Sequence, residues 1–309
     1  MSLQLRNSFL LLITATIWGS GFVAQALGME HVSPFTFTWA RSIIGGLFLL
    51  AVIPFLDTVR AKRDPQTVTG KSAWKNPLVW TGGIVCGTVL FISESLQQFG
   101  LLYTTVGKAG FLTSLYIVIV PILGIFVGRK TGFLVWISVV IAAIGLYFLC
   151  MPAGSFSLAI GDSLVLACAL SFSFHILVID RYAPLVDCVR MSCVQFFAGS
   201  LWGFILMMIF EPPTMEALQA ALPAMLYAGI MSNGIAYTLQ VIAQNGVHPT
   251  LASLIMSLES VVSVICGWLI MNQALSAREL FGCVLMLGAI VLAQLPVQMV
   301  KRLLGIGKR

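Results

Sequence analysis

Charge is scarce in this chain. Only 9% of its 309 residues are Asp, Glu, Lys or Arg, 59% are hydrophobic, and the mean hydropathy is +1.00. Soluble domains carry roughly 25% charged residues. No polar stretch is long enough for a separate soluble core, the largest running from 57 to 76. An anchored soluble domain is thereby excluded. Apolar runs recur along the whole length and point to a polytopic membrane protein.

Other absences narrow the chemistry. Cys86, Cys150, Cys168, Cys188, Cys193, Cys266 and Cys283 form no C-x-x-C and no Cys/His ligand spacing. They read as small reduced packing residues, with no disulfide framework and no metal site. No cofactor is expected. Direct ATP drive lacks a nucleotide-binding motif. A membrane-embedded enzyme acting on lipid head groups would need a nucleophile, an acid/base pair or a metal cluster. The chain offers no H-E-x-x-H, no D-x-x-D-like carboxylate pair and no Ser/His pair at a suggestive depth. Channels show pore rings or re-entrant filters, and neither pattern is present. The enzyme and a non-transporting membrane sensor stay as alternatives to a transporter.

What is there is a set of long apolar windows. Cut at charges and at Pro/Gly/Asn clusters, they give ten expected spans: 7–27, 34–56, 78–101, 104–127, 132–151, 157–180, 184–210, 219–244, 247–271 and 276–297. Ala24-Gln25-Ala26 weakly matches a signal-peptidase site. The apolar run from Ser8 to Leu27 that contains it spans about 20 residues, long for an h-region of roughly 7–15, so it reads as the first membrane helix. With the N-terminus in the cytoplasm, 14 of the 17 basic residues fall inside, Arg278 falls outside, and Arg41 and Lys108 lie within spans. The expected topology therefore has both termini cytoplasmic; the expected location is a cell membrane, a bacterial inner membrane. The net charge of +6 follows from this bias and implies no nucleic-acid partner. The basic tail at 297–309 is expected against anionic head groups.

The chain also resembles itself. An offset of 143 (239 − 96) places Leu96-Gln97 on Leu239-Gln240, Ser114-Leu115 on Ser257-Leu258, and Gly145 on Gly288. For the first two helices an offset of about 154 aligns Arg41 with Gln195 and Gly45 with Gly199. The expected fold is an all-α integral membrane protein, ten helices in a 5+5 inverted repeat, with halves 1–151 and 152–309. Five spans per half is odd, so the second half enters the membrane from the opposite side. In such repeats the substrate site lies near the midplane between the halves.

Ile17-Trp18-Gly19-Ser20, Ala40-Arg41, and Leu96-Gln97-Gln98-Phe99-Gly100-Leu101 ahead of Tyr103-Thr104-Thr105 and Ala109 resemble the EamA family of the drug/metabolite transporter superfamily. The resemblance covers essentially the whole chain. It implies secondary transport of a small metabolite, often export of amino acids, their derivatives or drugs. The second half departs from the pattern, with Leu170-Ser171-Phe172-Ser173 in place of the Trp18-Gly19 segment and Gln195 in place of Arg41.

With the charges near span ends (Asp162, Asp180, Asp187, Arg190, Arg278 and Glu279) counted with the loops, four charged residues remain inside spans: Arg41, Glu94, Lys108 and Glu259. Each costs about 2.5–3.5 kcal/mol at a bilayer centre, so each is expected to face the bundle interior with a partner. Arg41 lies seven residues into its span, roughly 10 Å at 1.5 Å per residue, and Glu94 lies at a similar depth. Arg41–Glu94 reads either as an ion pair fixing helices or as a substrate contact; Glu94 and Lys108 read as an outer gate, with Lys108 alternatively a member of that ion-pair network or a snorkelling side chain. Glu259 is expected roughly 18 Å deep, and its mate at 143 is Tyr116. Glu259 is the candidate to bind an amino or cationic group or to carry a coupling proton. Gln97 and Gln98 share a face with Glu94. Trp18, Tyr237 and Asn233 complete the candidate substrate-binding set, and His175 reads as a packing histidine before a proton carrier. The expected partners are a small-molecule substrate, the lipid bilayer and protons, and the pattern is compatible with a homo-oligomer.

Overall fold

The computed structural model describes residues 3–63, 70–104, 106–150, 160–271 and 276–295, leaving aside the side chains of 63, 106–108, 150, 267, 270 and 271. The described residues form helices and connecting turns, with no strand among them. In the first part of the chain these are α1 (Leu3–Met29), α2 (Pro34–Arg63), the short α3 (Gly70–Ala73), α4 (Pro77–Leu101), α5 (Val106–Ser114), α6 (Tyr116–Phe126) and α7 (Phe133–Cys150). The rest comprises α8 (Ile160–Tyr182), α9 (Cys188–Phe210), α10 (Met215–Tyr227), a π-helix (Ala228–Tyr237), α11 (Thr238–Gln244), α12 (Pro249–Met256), α13 (Glu259–Met271) and α14 (Ala277–Gln294).

Among the described residues, eight helical segments are long and apolar enough to cross a membrane, and Phe133–Leu149 is a shorter apolar helix. The expected span 219–244 is divided between α10, the π-helix and α11. This is an all-α membrane protein turned outward: Phe126, Phe133, Phe210 and Leu269 are exposed, while Arg41, Glu94, Glu259, Gln98 and Asn233 are buried. Lipid offers polar groups no partner, so they converge in the interior.

Local chemistry sets the helix ends. Asn76 caps α4 ahead of Pro77, and Asp187 caps α9 by accepting from the Arg190 N–H at 3.0 Å. Ser276 and Glu279 form a capping box on α14. His248 caps α12, its Nδ1 accepting from the Thr250 N–H at 3.3 Å.

Four expectations are corrected. Helix two runs to Arg63 rather than 56, and part of the polar stretch 57–76 is therefore helical. Asp57 and Arg60, on the added turns, pair with Arg190 and Asp187 at the start of α9. Helix seven begins at Cys188, after a one-turn 3-10 helix at Ala183–Leu185. Helices four and nine are each interrupted, at Leu115 and at Ser257–Leu258. The span 219–244 widens into the π-helix, a rare form found mostly as single turns and frequently at functional sites.

Pro121 sits inside α6, past the break in helix four, and does not cause it. The matching break in helix nine has no proline between Thr250 and Met271. Serines account for that break better. Ser257 donates to Leu254 O at 2.8 Å and Ser253 to Thr250 O at 2.9 Å, competing with the helical ladder for its own carbonyls. A side chain from elsewhere serves the π-helix: the Thr14 hydroxyl lies 3.2 Å from Ala236 O.

The main helix pairs are α7 with α14, α2 with α9, and α4 with α8 and α9. At the α7–α14 crossing a Cβ on Gly282 would lie 2.6 Å from Gly145 O, so the two backbones touch there. The α2–α9 pair is antiparallel and clasped at both ends. At one end the buried Arg190 guanidinium of α9 meets Asp57 from the far end of α2, with Asp187 3.1 Å away. At the other, Glu211 just past α9 accepts from the Phe35 N–H at 2.8 Å and the Thr36 N–H at 3.3 Å at the start of α2. Asp57 and Glu211 are 154 apart (211 − 57), the offset that relates Arg41 to Gln195.

Candidate functional site

The two helix breaks bring α6 and α13 into register. Tyr116 opens α6, Glu259 opens α13, and the Tyr116 hydroxyl donates to Glu259 Oε1 at 3.0 Å. Both side chains are buried. A carboxylate in the first turn of α13 also faces the positive end of the helix dipole, worth about 0.3–1 kcal/mol in exposed helices. Beneath this pair, the Ser114 and Ser260 hydroxyls bond to each other, and Ser260 donates to Gly110 O at 3.1 Å. Helices four and nine thus meet at their interruptions.

A second cluster forms around Arg41. Its Nη2 lies 3.0 Å from Glu94 Oε1, although neither Glu94 oxygen receives an aligned hydrogen bond. Aligned bonds run from Arg41 Nε and Nη2 to Asn233 Oδ1 at 3.0 and 2.9 Å, from Nη1 to Gln25 Oε1 at 3.3 Å, and from Nη2 to Ser232 Oγ at 3.2 Å. Gln98 donates to the same Gln25 oxygen at 2.8 Å. The π-helix supplies both Ser232 and Asn233, placing adjacent residues on one guanidinium.

Between the two clusters lies a narrow central cavity of about 30 Å³, room for about two waters. Trp18, Arg41, Gln97, Tyr116, Tyr237 and Glu259 all line it. Gln97 is fixed by a 3.2 Å bond to Thr113, and the Trp18 and Tyr237 rings lie 4.5 Å apart. Glu94, Gln98 and Asn233 stand behind the lining, joined to it through Arg41 and Gln25. The Lys108 side chain lies outside the described residues. His175 bonds Gln195 Oε1 at 3.0 Å and meets the Tyr237 ring edge-on at 5.9 Å.

Gly19 explains the residue beside Trp18. A Cβ there would stand 2.5 Å from Val262 Cβ and 2.6 Å from Glu259 O, so only glycine lets α1 close on α13 at the carboxylate.

The lining also contains Phe22, Gln25, Thr113, Phe172 and Ser232, which sequence reasoning missed. Signals existed for three of them. Phe22 and Gln25 follow Trp18 at i+4 and i+7 on one helical face. Phe172 is Trp18 displaced by 154 (172 − 18). For Ser232 and Thr113 no pattern was available.

Comparison with known proteins bears on the whole chain. The family model of the EamA-like transporter family matches residues 6–151 and 159–295. The chain belongs to this family. An uncharacterized transporter of Archaeoglobus fulgidus is 30% identical over 291 residues, covering 93% of this chain and 85% of the relative. The uncharacterized transporter YwfM of Bacillus subtilis is 24% identical, covering 94% of both chains. A solved crystal structure shares the fold with a TM-score of 0.76 at 21% identity, covering 96% of this chain and 98% of that one. EamA-like membership and these relatives identify the protein as a multi-pass membrane transporter.

Proposed function

We propose that this EamA-like protein is a secondary active transporter that exports a small metabolite across a bacterial inner membrane by alternating access, with both termini in the cytoplasm. The halves 1–151 and 152–309 form the two moving units, and the substrate sits in the central cavity. One observation carries the reading: Tyr116 and Glu259, mates at an offset of 143, begin the second segments of two interrupted helices and meet at the cavity. Interrupted helices facing each other at mid-depth are how inverted-repeat transporters expose polar backbone and side chains to a substrate without exposing them to lipid.

Glu259 is the coupling carboxylate in this scheme, holding a proton in one limb of the cycle and releasing it in the other. Arg41, Glu94, Gln98 and Asn233 orient the lining, and Trp18, Gln97 and Tyr237 contact the substrate. A cavity of about 30 Å³ is too small for a metabolite, so loading requires the surrounding helices to part.

Counterflow in proteoliposomes tests the proposal. Wild-type protein should accumulate labelled substrate against internal unlabelled substrate, and Glu259→Gln should abolish proton-driven uptake or flatten its pH profile while the protein stays folded. Wild-type turnover and an unchanged pH profile in that variant would make Glu259 structural. No counterflow across amino acids, amines, nucleosides and drugs would defeat the transporter reading.

A further inference from the structure

The charge pattern around the cavity is lopsided. Arg41 faces Glu94, and these two formal charges oppose each other at 3.0 Å. Glu259 has the Tyr116 hydroxyl as a partner and, among the described residues, no cation. With both carboxylates ionised, the three groups sum to −1 (+1 − 1 − 1). The remaining surface adds to the same sign. Trp18, Phe22, Tyr116, Phe172 and Tyr237 present aromatic rings, whose faces are electron-rich and attract cations.

Arg41 offers little to an anionic substrate. A guanidinium has five N–H groups. Its Nε, Nη1 and Nη2 are already bonded to Asn233, Gln25 and Ser232, and Nη2 also faces Glu94. Four of the five N–H groups are thus taken, and a substrate carboxylate could form a two-pronged pair with Arg41 only by displacing one of these buried acceptors. It would also approach an uncompensated Glu259 across a cavity of low dielectric, where like charges repel strongly.

We infer that the substrate is a small organic ammonium without a carboxylate, its charged nitrogen set between Glu259 and the Trp18–Tyr237 rings. This rests on the central cavity being the transport site, and it departs from the amino-acid substrates that the family resemblance suggests. Selectivity comes from the lining, where no described residue offers a free cation: an amine gains a counter-ion, whereas a zwitterion brings a carboxylate that finds none among them.

Four probes of similar shape isolate the charge: isobutylammonium, isobutanol, isobutyrate, and valine, which is isobutylammonium bearing a carboxylate. Binding to the purified full chain is read at neutral pH from the ligand dependence of the unfolding temperature. Isobutylammonium should bind at least tenfold tighter than each of the other three, and Glu259→Gln should reduce that advantage at least tenfold. If Glu259→Gln does not fold, Trp18→Leu provides the second measurement and should lower ammonium affinity severalfold more than it lowers isobutanol affinity. Equal or tighter binding of valine or isobutyrate, no stabilisation by isobutylammonium, or an ammonium preference indifferent to both variants would overturn the assignment. Counterflow separates the two readings. Ammonium-selective binding without counterflow defeats the transporter and leaves the charge assignment standing, whereas counterflow of an anion or neutral compound lost in Trp18→Leu does the reverse.

Discussion

Tyr116 and Glu259 lie 143 residues apart in sequence and 3.0 Å apart in space, each opening a helix that resumes after a break. The hydroxyl satisfies a buried carboxyl oxygen where the starts of α6 and α13 meet. Tyr116→Phe keeps the ring and deletes that donor. It should cost about 1–3 kcal/mol, the range for leaving a buried acceptor unpaired. It should also slow counterflow more than it lowers stability. Paired thermal unfolding and transport assays on one preparation check this; wild-type transport in the variant would remove Tyr116 from the site.

Arg41 and Glu94 form the second test. Breaking a buried ion pair by removing one partner costs roughly 3–5 kcal/mol, whereas replacing both by apolar groups is often near neutral. Arg41→Met and Glu94→Leu should each destabilise by amounts of that order. The double variant should recover only part of the loss, because Asn233, Gln25 and Ser232 then lose their common donor. Full recovery would mean that those three bonds contribute little.

Gly19 and Gly21 make a matched pair on α1. A methyl at Gly19 would press on Val262 and the Glu259 carbonyl, while at Gly21 it would meet nothing within 4 Å. Gly19→Ala should cost about 1–3 kcal/mol through overpacking and displace Glu259. Gly21→Ala should be neutral or stabilise by about 0.4–1 kcal/mol through reduced unfolded-state entropy. Unfolding midpoints of the two variants give the comparison directly.

His248 gives a pH dependence outside the membrane-spanning segments. Burial lowers its pKa, Asp180 acts in the opposite direction, and Arg129 adds to the lowering. A base with a depressed folded pKa contributes stability that is complete above its unfolded value, about 6.5, and is lost as pH falls toward the folded value. Protonation at Nδ1 would also remove the acceptor for the Thr250 N–H at the start of α12. Unfolding temperature should therefore decline more steeply below about pH 6.5 in the wild type than in His248→Asn, which keeps a capping acceptor that does not titrate there. Parallel slopes would show that His248 contributes nothing to the acid limb.

The charged part of the site was legible because a carboxylate inside an apolar run has few physical explanations. Arg41, Glu94 and Glu259 stood out on cost alone, and the repeat offset then led from Glu259 to Tyr116. The breaks beside those residues were hidden, since Ser114-Leu115 and Ser257-Leu258 are ordinary helix residues until the serines take their neighbours' carbonyls or pair across the interface. Gln25 was obscured by its setting in Ala24-Gln25-Ala26, which looked like a cleavage site rather than the hub for Arg41 and Gln98. Ser232 reaches Arg41 beside Asn233 only because the backbone widens there, and a hydropathy pattern carries no record of an i→i+5 turn. The length of α2 escaped for a related reason: its last turns are charged, and their partners wait at the far end of another helix.

The double clasp on α2 and α9 has a consequence for how the protein comes into being. Each helix is secured by groups on the other, so the earlier part of the chain leaves synthesis with Asp57 accepting from the Gly70 N–H but lacking its cation, and with the Phe35 and Thr36 N–H groups lacking their acceptor, until Arg190 and Glu211 arrive. A chain stopped before α9 lacks Arg190 and Glu211, the two groups that clasp α2 at its ends.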